Sequence, residues 1–183
     1  PMRRVTATRM QQAKQAVPHF YLRVDCDVGG AMAVTEQAKA LGRDPAPTLT
    51  DLVIRAAALA LRQVPRANSA WADGALRLYD RIDVAVAVNT AQGLITPIIR
   101  AADTKDLGVI ARETRSLVAR AREGALEPGE YTGGTFTISN LGMFGVDSLF
   151  AIVNAPQSCV LGVGAATRRP IAVGNDVRIG TMM

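Results

Sequence analysis

The sequence predicts an α/β sandwich in which helices pack on a mixed β-sheet. Three features carry that prediction. Residues 106 to 123 place Leu107, Ile110, Ala111, Thr114, Leu117, Val118 and Ala121 at helical spacing, opposite a charged face. After Gly124 the chain turns to short, β-prone apolar runs punctuated by glycine, proline and asparagine. Helices and strands also interleave without the strict alternation of a doubly wound parallel sheet, so strand directions should be mixed. With 183 residues, 49% of them hydrophobic, a single domain can bury a sizeable core.

Taken in order, residues 3 to 16 carry good helix formers with Val5, Met10 and Ala13 loosely on one side. That helix should end before Pro18. From His19 to Val28 the pattern alternates: Phe20, Leu22, Val24, Cys26 and Val28 share one face, and His19, Tyr21, Arg23, Asp25 and Asp27 the other. A strand with one buried face is expected there. Gly29-Gly30 ends it, and residues 31 to 41 suit a second helix closed by Gly42. After a Pro-rich loop, Thr50 is expected to cap a helix whose interior, Leu52 to Leu61, is apolar apart from Arg55. Such a helix predicts central burial.

Residues 75 to 79 and 82 to 89 read as strands, and Gly93 turns the chain into a strand over Leu94 to Ile99. Pro97 within it argues for an edge, a bulge or a strand end. Further strands are expected at 135 to 139, 149 to 153, 157 to 165, 170 to 173 and 177 to 183. Val160 to Ala166 lacks alternation, which predicts cover on both faces. No internal repeat, low-complexity tract or second domain is visible.

The net charge of +5 rests almost wholly on arginine, with lysine only at 14, 39 and 105. The basic residues are scattered, and aromatics make up only 4%, so base-stacking platforms for nucleic acid are missing. Cys26 and Cys159 lie far apart in apolar, strand-like runs, which predicts buried, reduced thiols and no metal site. No signal peptide or membrane-spanning stretch is apparent, and a cytoplasmic, reducing compartment is expected. The chain opens at Pro1 without an initiator methionine, as an excised piece of something longer would. Gly162-Val163-Gly164 is too short for a dinucleotide fingerprint.

The most telling run is Gly133-Gly134-Thr135-Phe136-Thr137-Ile138-Ser139-Asn140-Leu141-Gly142. A β-prone stretch ending in a hydroxyl and a carboxamide beside glycine can present hydrogen-bond donors at a sheet edge, as oxyanion stabilisation requires. The same residues are also ordinary turn chemistry. Together with Gly93-Leu94-Ile95-Thr96-Pro97-Ile98-Ile99 and Asn154-Ala155-Pro156-Gln157-Ser158, in this order, the run resembles the catalytic domain of the dihydrolipoyl acyltransferases. These form the cores of 2-oxoacid dehydrogenase complexes. The resemblance covers nearly the whole chain, from Arg3 to Met183, and is best to the pyruvate type, as Gly142-Met143-Phe144-Gly145 suggests.

That resemblance implies a chloramphenicol acetyltransferase-like fold and a single catalytic domain over residues 1–183. It implies acetyl transfer between a dihydrolipoyl arm, carried by a separate lipoyl domain, and coenzyme A, whose phosphates would suit guanidinium groups. No metal is implied. A serine at the position of Ser139 hydrogen-bonds the oxyanion, and Asn140 neighbours the site. Partners would be further copies in a homotrimer that builds a cubic or dodecahedral core, the lipoyl domains and the dehydrogenase components, with no nucleic acid and no membrane. The N-terminal arm around Arg3, Arg4 and Arg9 and the C-terminal strands are expected contact regions.

The resemblance also assigns the general base to a His-x-x-x-Asp-Gly segment beyond a strand like Arg178–Met183, and the sequence contains no such segment. Its only histidine is His19, on the polar side of an expected strand and beside no nucleophile signature. A structural role is expected for it. Asp25 and Asp27 lack an acidic cluster around them and are expected on a solvated face. Three readings stay open: an acetyltransferase core domain truncated at its C-terminus, a structural or tethering core subunit without the base, and an unrelated small-molecule binding domain. On the first, the 183 residues alone should show no useful turnover.

Overall fold

The computed structural model describes residues 2–183. Helices α1 (Met2–Ala16), α2 (Gly29–Ala40) and α3 (Leu49–Gln63) precede a hairpin of β1 (Ser69–Ala72) and β2 (Ala75–Leu78). Strands β3 (Val84–Val86), β4 (Val88–Thr90), β5 (Gly93–Ile95) and β6 (Ile98–Ile99) follow. The long helix α4 (Leu107–Glu123) and the single turn α5 (Pro128–Tyr131) lead into β7 (Phe136–Asn140). Strands β8 (Val160–Val163), β9 (Thr167–Val173) and β10 (Asp176–Met182) complete the chain.

The central sheet has the order β6-β3-β7-β8. Its β6–β3 pair is antiparallel, while β3–β7 and β7–β8 are parallel, so the sheet is mixed as predicted. Helices α3 and α4 lie against it. Ile54, Ala58 and Leu61 of α3, Ile110 and Leu117 of α4, Val84 and Val86 of β3, and Phe136 and Ile138 of β7 form one buried cluster. The predicted face of α4 is the buried one, capped by Asp106 Oδ1 accepting from the Val109 N–H at 2.8 Å.

Several expectations are corrected. Thr48, not Thr50, caps α3. The Thr48 N–H and hydroxyl donate to Asp51 Oδ2 at 2.8 and 2.7 Å, and the Asp51 N–H returns to Thr48 Oγ1 at 3.3 Å. An acid three residues on completes a capping box for Thr48, and Thr50 has no such partner. Helix α3 is also not central. It buries Asp51, Ile54, Ala58 and Leu61 along one stripe and leaves Leu59 exposed.

The strand expected over His19–Val28 does not form. This segment meets β10 only at its end, where Cys26 and Met183 exchange backbone hydrogen bonds of 2.9 Å. Phe20 and Leu22 are 83% and 84% exposed, Val24 and Cys26 are exposed too, and only Val28 of the predicted face is buried. Alternation shows that a face seeks cover, but no element among the described residues lies where it could supply it.

The 82–89 run splits: the Ala87 N–H still bonds the Ile138 carbonyl of β7 at 2.9 Å, and β4 then leaves the central sheet to pair with β5. Pro97 is buried where the chain passes from β5 to the edge strand β6, in line with its predicted strand-end role. Residues 149–153 form no ladder, and Leu149 instead packs its carbonyl and side chain against Gly162. Leu161 and Gly162 of β8 are exposed, so β8 is not covered on both faces. Strand β1 was not predicted, since Ser69-Ala70-Trp71-Ala72 carries little β signal.

Candidate active site

Strand β7 places the candidate residues. Phe136 and Ile138 point into the core beneath the helices, so alternation puts Asn140 on that same side and Thr137 and Ser139 on the opposite one. On the Thr137 side lies a buried polar clasp. The Thr137 hydroxyl donates to Gln157 Oε1 at 2.6 Å, and Gln157 Nε2 donates to the Gly134 carbonyl at 2.8 Å. Asn154 Nδ2 reaches the Thr137 hydroxyl at 3.4 Å, so the Asn154–Ser158 motif acts as a brace beneath the strand that carries Ser139.

Ser139 is half-buried, opposite Gly162 in the ladder with β8. Its hydroxyl takes no part in the network its neighbours form among the described residues. Asn140 is committed elsewhere. Its Nδ2 donates to Thr50 Oγ1 at 2.9 Å, and its Oδ1 accepts from the Gly142 N–H at 2.9 Å. Gly142 is required by close packing, because a Cβ there would collide with the Gly164 carbonyl. The chain beyond the serine therefore folds tightly over the end of β8.

His19 is not a free base. Its Nδ1 lies 2.7 Å from the Val17 carbonyl, and its Nε2 accepts from the Val153 N–H at 3.1 Å. The proton therefore sits on Nδ1, and the ring staples the exit of α1 to the segment before Asn154. Asp25 faces Arg23 and Arg169 at 3.5 and 3.9 Å, while Asp27 accepts from the Gly29 N–H and pairs with Arg178. They are ion-paired surface groups and not a pair of catalytic carboxylates. Cys159 is half-buried, and burial pushes its thiol pKa up, away from nucleophile chemistry. Among the described residues no group of three or more His, Cys, Asp or Glu could hold a metal ion.

Ser139 does not line the groove of about 430 Å³ between α4 and the α5 turn, which is lined by Arg100, Lys105, Arg112, Glu113, Arg120 and Glu130 among others. The serine is half-buried and close in sequence to exposed Met143, Phe144 and Phe150. Sequence reasoning found Ser139 and Asn140 but not Thr50, whose contact with Asn140 spans 90 residues. It also gave Gln157 no role, although the residue lay inside a recognised motif.

The model of the 2-oxoacid dehydrogenases acyltransferase (catalytic domain) family matches residues 1–183. The chain is 43% identical over 185 residues to the dihydrolipoyllysine-residue acetyltransferase component of the pyruvate dehydrogenase complex of Rickettsia bellii (strain RML369-C). That alignment covers 100% of this chain and 44% of the relative, so the chain spans less than half the length of that protein. Among solved structures it superposes on the Azotobacter vinelandii dihydrolipoamide acetyltransferase with a TM-score of 0.94 and 32% identity, covering 98% of this chain and 75% of that one. That structure belongs to an investigation of the roles of a serine, a histidine and an asparagine in its catalytic mechanism. The cubic core of a pyruvate dehydrogenase multienzyme complex matches equally well, at TM-score 0.94, 32% identity and the same 98% and 75% coverage. A chloramphenicol acetyltransferase, 18% identical with a TM-score of 0.51 over 87% of this chain and 73% of its own, shares the fold.

Proposed function

The chain belongs to the 2-oxoacid dehydrogenase acyltransferase catalytic-domain family, and on that premise we propose that it transfers an acetyl group between a dihydrolipoyl arm and coenzyme A in the core of a pyruvate dehydrogenase-type complex. The observation that carries this reading is Ser139. Its half-buried hydroxyl stands near the end of a braced strand, uncommitted to any partner among the described residues. An unspent donor held by a rigid sheet is what a developing oxyanion needs.

In the reaction the coenzyme A thiol attacks the carbonyl carbon of the S-acetyl dihydrolipoyl thioester and loses its proton to a base. The tetrahedral intermediate carries the negative charge on the former carbonyl oxygen, and Ser139 donates a hydrogen bond to it. Collapse breaks the C–S bond to the dihydrolipoyl sulfur, which takes up the proton, and acetyl-coenzyme A leaves. A free thiol of pKa about 8.5 is mostly protonated at neutral pH, so the base is indispensable. These 183 residues hold no free histidine, since His19 is spent on the backbone. The resemblance assigns the base to the His-x-x-x-Asp-Gly segment.

The site is completed by further copies of the chain in a trimer. Phe20, Leu22 and Val24 form an exposed apolar row that no element among the described residues covers, and the Tyr21 ring meets exposed Phe150 at 5.0 Å between centroids. Such a row marks an interaction surface, and a solved relative forms a cubic core. The lipoyl domains and dehydrogenase components of the complex are the remaining partners, in a reducing, cytoplasmic setting that suits free Cys26 and Cys159.

The test is acetyl transfer between dihydrolipoamide and coenzyme A, catalysed by the intact polypeptide that carries this domain. Turnover that needs both substrates and favours acetyl over succinyl donors is expected. A rate indistinguishable from the uncatalysed reaction sinks the proposal. The 183 residues alone should fall short by the ~10²–10⁴-fold that a general base supplies.

A further inference from the structure

We propose that Thr50 is a positioning residue for the oxyanion donor: acting through the Asn140 carboxamide, its hydroxyl fixes the end of β7 from the helix layer. The proposal rests on the reading of Ser139 given above. Strand β7 is held on both sides only as far as Ile138. On one side β3 runs out with Val86 opposite Ile138, and the Ala87 N–H makes a bond to the Ile138 carbonyl at 2.9 Å. On the other side β8 continues, with Ser139 opposite Gly162 and Asn140 opposite Val163. Ser139 therefore stands where the backbone has one ladder neighbour in place of two.

A side chain supplies the missing constraint. Asn140 lies on the α3 side of the sheet, where its amide spans Thr50 Oγ1 and the Gly142 N–H, each at 2.9 Å. One planar group thus ties a helix start, a strand end and the following turn. Thr50 is itself held firmly, between the capping residue Thr48 and Asp51, which is only 2% exposed. Positional restraint passes from this capping box, anchored by the buried Asp51, to Thr50, to Asn140 and to the peptide that carries Ser139. A donor works on a developing charge only when preplaced, and a shift of about 1 Å can cost ~100-fold in rate.

Thr50→Val keeps the side-chain shape but removes the acceptor, leaving Asn140 Nδ2 unpartnered and its amide free to rotate. The experiment uses the intact, assembled protein with dihydrolipoamide and acetyl-coenzyme A as substrates, alongside thermal melting. Thr50→Val should lower kcat by about 10-fold or more, with both KM values within about twofold of wild type. Thr50→Ser, which keeps the hydroxyl, should restore kcat. If the valine variant does not assemble, Thr50→Ala, which only removes atoms, takes its place with the same expectation. A kcat within about twofold of wild type, a loss that serine does not recover, or a lowered melting temperature at normal kcat overturns the proposal. Ser139→Ala in the same series keeps the two readings apart. Wild-type kcat there removes the oxyanion role and this proposal with it, whereas a loss in Ser139→Ala without one in Thr50→Val removes only the role of Thr50.

Discussion

Arg100 donates through Nη1 to Asp83 Oδ2 at 2.9 Å, and the same guanidinium reaches the carbonyls of Gly129, Thr132 and Gly133. Asp83 is 1% exposed, and its other oxygen accepts from the Ala101 N–H at 2.8 Å. The Asp83 backbone also binds Thr135, so the pair joins the start of β3, the turn after β6 and the loop that feeds β7. Sequence, packing and site meet here, because this loop sets where the strand of Ser139 begins.

Removing the cation should therefore cost far more than an exposed ion pair would. Arg100→Met leaves a buried carboxylate with the Ala101 N–H and the largely exposed Arg81 at 3.5 Å as its remaining partners. Breaking a buried pair from one side costs about 3–5 kcal/mol, and the partial exposure of Arg100 places this case near the lower figure. Chemical denaturation should show that loss with an unchanged slope. A change below about 0.5 kcal/mol, the level of an ordinary surface substitution, would mean the tether is decorative.

Gln157 gives a second stability prediction. Gln157→Leu leaves the Thr137 hydroxyl and the Gly134 carbonyl without their partner beneath the sheet. Each unsatisfied buried group costs about 1–3 kcal/mol, and because Gly134 is only half-buried a total of roughly 2–4 kcal/mol is expected. Thermal and urea melts of the variant measure it directly, and wild-type stability would show that solvent replaces the clasp.

Much of this architecture was legible in the sequence, and the failures share a physical cause. Helix α4 was read correctly because its own periodicity states which face is buried. The row at Phe20, Leu22 and Val24 was misread because alternation states only that a face wants cover, not which chain provides it. Ser139 and Asn140 stood out through local chemistry and resemblance. Thr50 did not, since a hydrogen bond between residues 90 apart leaves no trace in local pattern. The capping box was likewise visible at Thr48 and Asp51, but an apolar run beginning two residues later drew the cap to Thr50.

Acid stability should depend on Glu130. Hydrogen bonds from Arg120, at 2.7 and 2.5 Å, and then from the Glu127 N–H hold its carboxyl below the usual range. A depressed folded-state pKa means the stabilisation is present above the unfolded value of ~4.3 and is lost as pH falls through the lower folded value. Glu130→Gln should thus lower the melting temperature at pH 7, and the gap to wild type should close towards pH 3. A gap that stays constant over this range would assign the effect to packing instead of charge.

The exposed apolar row makes a prediction about association. Phe20→Asp and Leu22→Asp change side chains that are 83% and 84% exposed, so the fold of one copy should be untouched. Burying either carboxylate in a trimer contact is costly, so assembly should fail. Light scattering at micromolar concentrations should show smaller species for both variants, with wild-type helical circular dichroism. Wild-type particle size in both variants would place the interface elsewhere.

Ser139→Ala is the decisive substitution for the proposed chemistry. In the assembled protein with the His-x-x-x-Asp-Gly segment present, it should lower kcat by about 10²–10³-fold, roughly 3–4 kcal/mol of barrier. The KM values should barely move, because a donor aimed at the developing oxyanion binds the transition state more strongly than the ground state. Folding should survive, since the Ser139 hydroxyl makes no bond to the network around Thr137 and Asn140 and its loss opens no large cavity. A serine that merely shapes the turn before Gly142 predicts the opposite pattern, with lower stability and normal kcat per folded site. Steady-state kinetics and thermal melting on one preparation separate the two. Wild-type kcat in the alanine variant would take Ser139 out of the mechanism.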